Sequence, residues 1–133
     1  MGAHILIVDD EEIIRDLLNR SLSREGYTTT VAANGRQGHE KFREEKFDLV
    51  ISDILMPEMD GITMMEQIRK ENTVTPIILI TGYAKEYTAR KAKELGAFDF
   101  IAKPFRNAEI LQAVRKGLSD CAVAPQSAAP NTA

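Results

Sequence analysis

Asp53 closes the apolar run Phe47-Asp48-Leu49-Val50-Ile51-Ser52-Asp53, just before the loop Ile54-Leu55-Met56-Pro57. An ionisable carboxylate at the carboxyl end of a buried strand sits where open α/β sheets hold their ligands. A second apolar run, Ile5-Leu6-Ile7-Val8, ends in Asp9-Asp10-Glu11-Glu12. Parallel pairing of these two strands would bring their terminal acids to one edge of the sheet. Two like charges about 4 Å apart repel by roughly 4 kcal/mol at an effective dielectric near 20, so such a cluster calls for a compensating cation or a functional reason. Oxygen-only ligands favour a hard cation such as Mg²⁺. Taken singly, the same residues have plainer readings: Asp10, Glu11 and Glu12 suit the start of a helix, and Asp53 suits a solvated strand end. Their occurrence together favours a site. Mutual repulsion is expected to raise at least one folded-state carboxyl pKa, so that Asp10→Asn should stabilise the metal-free protein.

The elements that position these acids follow from hydrophobic periodicity. Strands are expected at residues 4–9, 27–33, 48–53, 76–81 and 98–102, three of them as apolar runs typical of a sheet covered on both faces. Between them, Ile14, Leu17, Leu18 and Leu22 form one helical stripe, Ile62, Met65 and Ile68 another, and Ile110, Leu111, Val114 and Leu118 a third. Two helices look weak. Gly38 interrupts residues 36–45, costing on the order of 1 kcal/mol against Ala, and residues 84–95 offer mainly Ala89, Ala92 and Leu95 to a core. Met56, Met59, Met64 and Met65 read as packing, and the lone His4 and His39 as solvent-facing. Five βα repeats imply a parallel sheet with right-handed crossovers and helices on both faces. All strand ends then share one edge, collecting Asp9, Asp10, Asp53, Thr81 and the loop Lys103-Pro104.

The chain has 133 residues, 44% hydrophobic and 28% charged, with a net charge of -3. That is ordinary globular composition for one domain, and it supplies no basic field for nucleic acid or an anionic membrane. Direct nucleic-acid binding and membrane association are therefore not expected. Cys121 is the single cysteine, which fits a reducing compartment, and no leader or span is legible, so a cytoplasmic location is expected. The domain is expected over residues 1–118. Residues 119–133, rich in Ala, Pro and Ser, read as a linker or disordered tail.

Over residues 3–118 the chain resembles the receiver domains of two-component response regulators. The resemblance lies in Val8-Asp9-Asp10, in Asp53-Ile54-Leu55-Met56-Pro57-Glu58-Met59-Asp60-Gly61, in Thr81-Gly82 and in Lys103-Pro104-Phe105, taken in that order and spacing. It implies a flavodoxin-like (βα)5 three-layer fold with strand order 2-1-3-4-5. It further implies that Asp53 is the phosphoacceptor, that Asp10, Asp53 and the backbone carbonyl of Leu55 ligate Mg²⁺, and that Asp9 acts through metal-bound water. Lys103 and Thr81 would contact the phosphoryl oxygens, and Thr81 and Phe100 would form the conformational switch. Phe100 also suits a permanent core position, Thr81 a helix cap, and Pro104 either peptide isomer.

The expected function is phosphorylation-dependent signalling, with the phosphoryl group taken from the phosphohistidine of a sensor histidine kinase or phosphotransfer protein. The chain would catalyse only its own aspartyl phosphorylation and dephosphorylation. By resemblance, homodimers would form through the face of the fourth helix, fifth strand and fifth helix. Bulky Leu55 and Tyr83, at variable positions beside the acceptor, are expected to shield the acyl phosphate from water. Two rival readings are a Mg²⁺-dependent aspartate-nucleophile phosphatase and an unphosphorylated pseudo-receiver. The first lacks the second acid such enzymes place two positions after the nucleophile, where this chain has Leu55. The second is disfavoured by the intact set Asp9, Asp10, Asp53, Thr81 and Lys103.

Overall fold

Strands rich in Ile, Leu and Val need apolar cover on both sides, and the helices between them provide it. The computed structural model describes residues 2–82 and 86–122. Along the chain run β1 (His4–Val8), α1 (Glu12–Arg24), β2 (Thr28–Ala32), α2 (Gly35–Glu44), β3 (Leu49–Asp53), α3 (Gly61–Glu71), β4 (Ile77–Thr81), α4 (Glu86–Glu94), β5 (Asp99–Ala102) and α5 (Asn107–Ala122). The five strands pair in parallel in the order β2-β1-β3-β4-β5, the flavodoxin-like arrangement expected. Every residue of β3 and β4 is buried, whereas the edge strands β2 and β5 are partly open.

Alternation along the strands splits the core in two. Ile5, Ile7, Leu49, Ile51, Ile78, Ile80 and Ile101 face Leu18 and Leu22 of α1 and Ile110 and Val114 of α5. Leu6, Val8, Val50, Ile77 and Leu79 face Met64, Met65 and Ile68 of α3 and Ala92 of α4. Each of the Ile, Leu, Val and Met side chains contributes roughly 1.5–3 kcal/mol by leaving water. The methionines pack as expected, Met64 and Met65 buried and Met56 and Met59 against the same core.

Several expectations need correction. Leu17, placed on the apolar stripe of α1, is 46% exposed, because Leu18 and Leu22 already fill the contact with the sheet. Gly38 is not a weak point of α2. A Cβ there would lie 2.7 Å from Met64 Sδ and 2.9 Å from Val8 Cγ2, so the missing side chain lets α2 approach β1 and α3 closely. His4 and His39 are both half-buried. His4 Nδ1 lies 2.9 Å from the Lys46 carbonyl and Nε2 2.8 Å from Thr30 Oγ1, while His39 sits 3.9 Å from Glu71. α5 continues to Ala122, four residues past the expected boundary at Leu118, since no proline interrupts the chain before Pro125. Residues 123–133, the rest of the expected tail, lie outside the described residues. Among the described residues no helix is long and apolar enough to cross a membrane.

The loop after β3 is held where it must be to present Asp53. Asp60 caps α3 by accepting the Thr63 N–H at 2.7 Å. The Gly61 N–H donates to the Ile54 carbonyl at 2.8 Å, and a Cβ on Gly61 would fall 2.1 Å from the Asp53 carbonyl oxygen. Helix start and strand end touch backbone to backbone, which any side chain at this position forbids. Gly61→Ala is therefore expected to destabilise the protein by roughly 2–3 kcal/mol, although helix propensity alone favours Ala. Urea melts of the two proteins measure this, and an unchanged midpoint would contradict the close approach.

Candidate functional site

The sheet register brings the acids together. Val8 pairs with Ser52 and Asp53 with Ile80, so β1, β3 and β4 end level at one edge, with Asp9 beside Asp53. Asp9 follows Ile5 and Ile7 in alternation, Asp53 follows Leu49 and Ile51, and Lys103 follows Ile101. All three side chains therefore project toward the α1 and α5 side. Lys103 is placed by its N–H, which extends the β4–β5 ladder to the Thr81 carbonyl at 2.7 Å, and by a cis peptide to Pro104. Its ammonium lies 3.2 Å from Asp9 Oδ2, 3.2 Å from Asp53 Oδ2 and 3.0 Å from Glu11 Oε1.

Asp9 is fully buried. Its Oδ1 accepts the Glu11 N–H at 2.8 Å, so Asp9 rather than Asp10 or Glu11 satisfies the start of α1, and Arg15 Nη1 donates to the Asp9 carbonyl at 2.7 Å. Its Oδ2 has the charge of Lys103 nearby but no aligned hydrogen bond. Asp53 is also buried and Asp10 is exposed. Oxygens of Asp9, Asp10 and Asp53 lie within 4.8 Å of one another. This all-oxygen set suits a hard divalent cation such as Mg²⁺. The unbonded Asp9 Oδ2 supports the same fit, because a buried carboxylate oxygen without a donor favours a positive charge or an ordered water.

An open cleft of about 470 Å³ lies over these groups, lined by Asp10, Glu11, Asp53, Leu55, Thr81, Gly82 and Lys103. Leu55 stands 51% exposed at its rim, while Tyr83, the other expected shield, lies outside the described residues. A Cβ on Gly82 would meet only Lys103 side-chain atoms at 4.0 Å, so its absence leaves room in the cleft without relieving any clash. Thr81 is buried and has opposite strand parity to Asp53, placing it on the α3 and α4 side. Leu79 pairs with Phe100 and Thr81 with Ala102, which makes Thr81 and Phe100 diagonal neighbours on that face. Phe100 is half-buried against the core there. The structure brings Asp9, Asp10, Asp53 and Lys103 together at one edge, with Thr81 lining the same cleft; sequence reasoning did not name Glu11 as a partner of Lys103. Its only sequence signal was adjacency to the acidic pair.

Burial pushes the Asp9 carboxyl above its ordinary value; the Glu11 N–H opposes the rise and the Asp53 charge adds to it. Burial likewise raises Asp53, with Lys103 opposing and Asp10 adding a smaller push. The expected direction holds, but desolvation is the larger cause and like-charge repulsion the smaller. Burial alone would depress the Lys103 ammonium, yet the hydrogen bond to Glu11 and the charges of Asp9 and Asp53 outweigh it and raise its pKa.

The chain has many known relatives. The response regulator receiver domain family matches residues 5–115. Regulatory protein AtoC of Escherichia coli is 43% identical over 114 residues, covering 86% of this chain but only 25% of that protein. Sporulation initiation phosphotransferase F of Bacillus subtilis is 42% identical over 118 residues, 89% of this chain and 95% of that protein. A CheY-like response regulator receiver domain protein from Methanospirillum hungatei superposes with a TM-score of 0.88 at 31% identity, over 92% of this chain and 98% of its own.

The raised carboxyls give a pH dependence of known sign. Asp53 holds its proton to a higher pH in the folded state than in the unfolded chain, where 3.8 is the ordinary value. Stability conferred by the neutral form is thus full below the unfolded value and lost as pH rises through the folded one. Asp53→Asn is expected to stabilise the metal-free protein by roughly 1–2 kcal/mol at neutral pH, a gain that shrinks toward pH 4. The exposed Asp10 carries little of this burden, so Asp10→Asn should change stability by no more than about 0.5 kcal/mol, contrary to the expectation from sequence. Denaturant melts in chelator at both pH values decide between the two sites.

Proposed function

The chain belongs to the response regulator receiver domain family, and from that premise we propose that Asp53 accepts a phosphoryl group from the phosphohistidine of a sensor histidine kinase or phosphotransfer protein. The observation that carries this reading is the buried Asp53 carboxylate, 3.2 Å from the Lys103 ammonium, at the floor of a cleft also lined by Thr81 and Gly82. In the reaction an Asp53 oxygen attacks phosphorus, the bond from phosphorus to the imidazole nitrogen breaks, and the nitrogen keeps its electron pair. Asp10, Asp53 and the backbone carbonyl of Leu55 would hold Mg²⁺, with Asp9 acting through a water. When bound, the cation offsets the charge of the phosphoryl oxygens against the acids. Lys103 pairs with one phosphoryl oxygen, and the Thr81 hydroxyl donates to another. The open space beside Gly82 admits the group.

Phosphorylation adds about one to one and a half negative charges. Thr81 is drawn toward them, and Phe100, its diagonal neighbour, turns into the space it leaves. The α4, β5 and α5 face then reports the change to an effector or a second copy. In this reading the chain acts only on its own phosphoryl group, since position 55, two residues after the acceptor, is Leu rather than a second acid. An apolar rim beside the acceptor supports a protein as the donor: Ile14, Leu17, Pro104 and Phe105 line a groove next to Lys103, and Ile13 is 81% exposed.

Incubation with acetyl phosphate and Mg²⁺, followed by intact mass, tests the assignment. One phosphoryl group is expected on the wild type, and none on Asp53→Asn or in excess chelator. Uptake by Asp53→Asn would remove Asp53 from the role. Steady release of phosphate from an added phosphate ester would favour a phosphatase instead.

A further inference from the structure

Lys103 has three N–H donors, and three carboxylates surround them. Asp9 and Asp53 are fixed by the ends of β1 and β3. Glu11 is different, since it stands before α1 with a side chain 60% exposed, against 15% for Lys103. It occupies the N-cap position yet makes no side-chain cap, and Asp9 already accepts the first free N–H of the helix. Among the described residues, Lys103 is the partner of the Glu11 carboxylate, and at 3.0 Å it is the shortest of the three contacts.

Glu11 and Asp53 accept two of the three donors, and Asp9 Oδ2, 3.2 Å away without an aligned hydrogen bond, crowds the side of the third. A phosphoryl oxygen on Asp53 therefore meets an ammonium already ringed by carboxylates, and the one that yields most cheaply makes way for it. Release of Asp9 would strand a fully buried charge, and Asp53 is the acceptor itself. Glu11 can return to water at little cost, because its desolvation is slight. We propose that Glu11 is a latch on Lys103, a positioning residue that holds the ammonium in the resting cleft and is displaced by the incoming phosphoryl group, thereby slowing phosphorylation of Asp53. The proposal rests on Asp53 being the acceptor.

Acetyl phosphate and Mg²⁺ with the full chain, followed in time by intact mass, provide the test. Glu11→Gln removes the charge, whereas Glu11→Asp keeps it but shortens the side chain so that it no longer reaches Lys103. Both variants are expected to be phosphorylated roughly two- to fivefold faster than wild type, the scale of one partly exposed ion pair. In a Lys103→Met background, Glu11→Gln should give no acceleration. Faster uptake in Glu11→Gln alone would overturn the latch in favour of a general charge effect. Unchanged rates in both variants, with uptake still dependent on Asp53, would overturn the latch and leave the acceptor in place. Uptake by Asp53→Asn would overturn both.

Discussion

The charge of Lys103 makes the rest of the site tolerable. A carboxylate buried without a partner costs several kcal/mol, and Asp9 and Asp53 are both buried at the end of an apolar sheet. One ammonium at 3.2 Å from each serves both. Its place depends in turn on the ladder from β5 to β4 and on the turn at Pro104, so the electrostatics of the cleft are set by the pairing of two strands.

That neutralisation is incomplete. One positive charge faces Asp9, Glu11 and Asp53, with Asp10 close by; burial is the main cause of the raised Asp9 and Asp53 pKa values, and the charges of Asp53 and Asp10 add to it. A site short of positive charge resists an incoming anion until a divalent cation makes up the difference. The proposed dependence on Mg²⁺ follows from this shortage.

Strand parity divides the labour. Asp9, Asp53 and Lys103 project toward α1 and α5, where the proposed chemistry occurs. Thr81 and Phe100 lie on the opposite face, against α3 and α4, where the proposed readout occurs. Both faces meet in one cleft only because β4 ends level with β3. Close backbone contacts at Gly61 and Gly35 fix the loops around it. A Cβ on Gly35 would fall 2.1 Å from the Met59 carbonyl, just as one on Gly61 would strike Asp53.

Local order was written in the sequence. Runs such as Ile77-Ile78-Leu79-Ile80 can be satisfied only inside a doubly covered sheet, and the acids, Thr81 and Lys103 fall at the ends of such runs, so the edge that holds the site was legible from period and position. Tertiary structure decided what depends on distant neighbours. The reach of Lys103 to Glu11 spans 92 residues of chain, and no local pattern marks it. Burial of Asp9 against exposure of Asp10 depends on which face of β1 meets α1. The value of Gly38 appears only when Met64 and Val8 arrive beside it, and Leu17 is exposed because Leu18 and Leu22 fill the helix contact first. Periodicity is a property of a few consecutive residues, whereas charge pairing and close packing belong to surfaces assembled from separate segments; the sequence by itself therefore determined the elements and the edge, and the fold alone chose the partners.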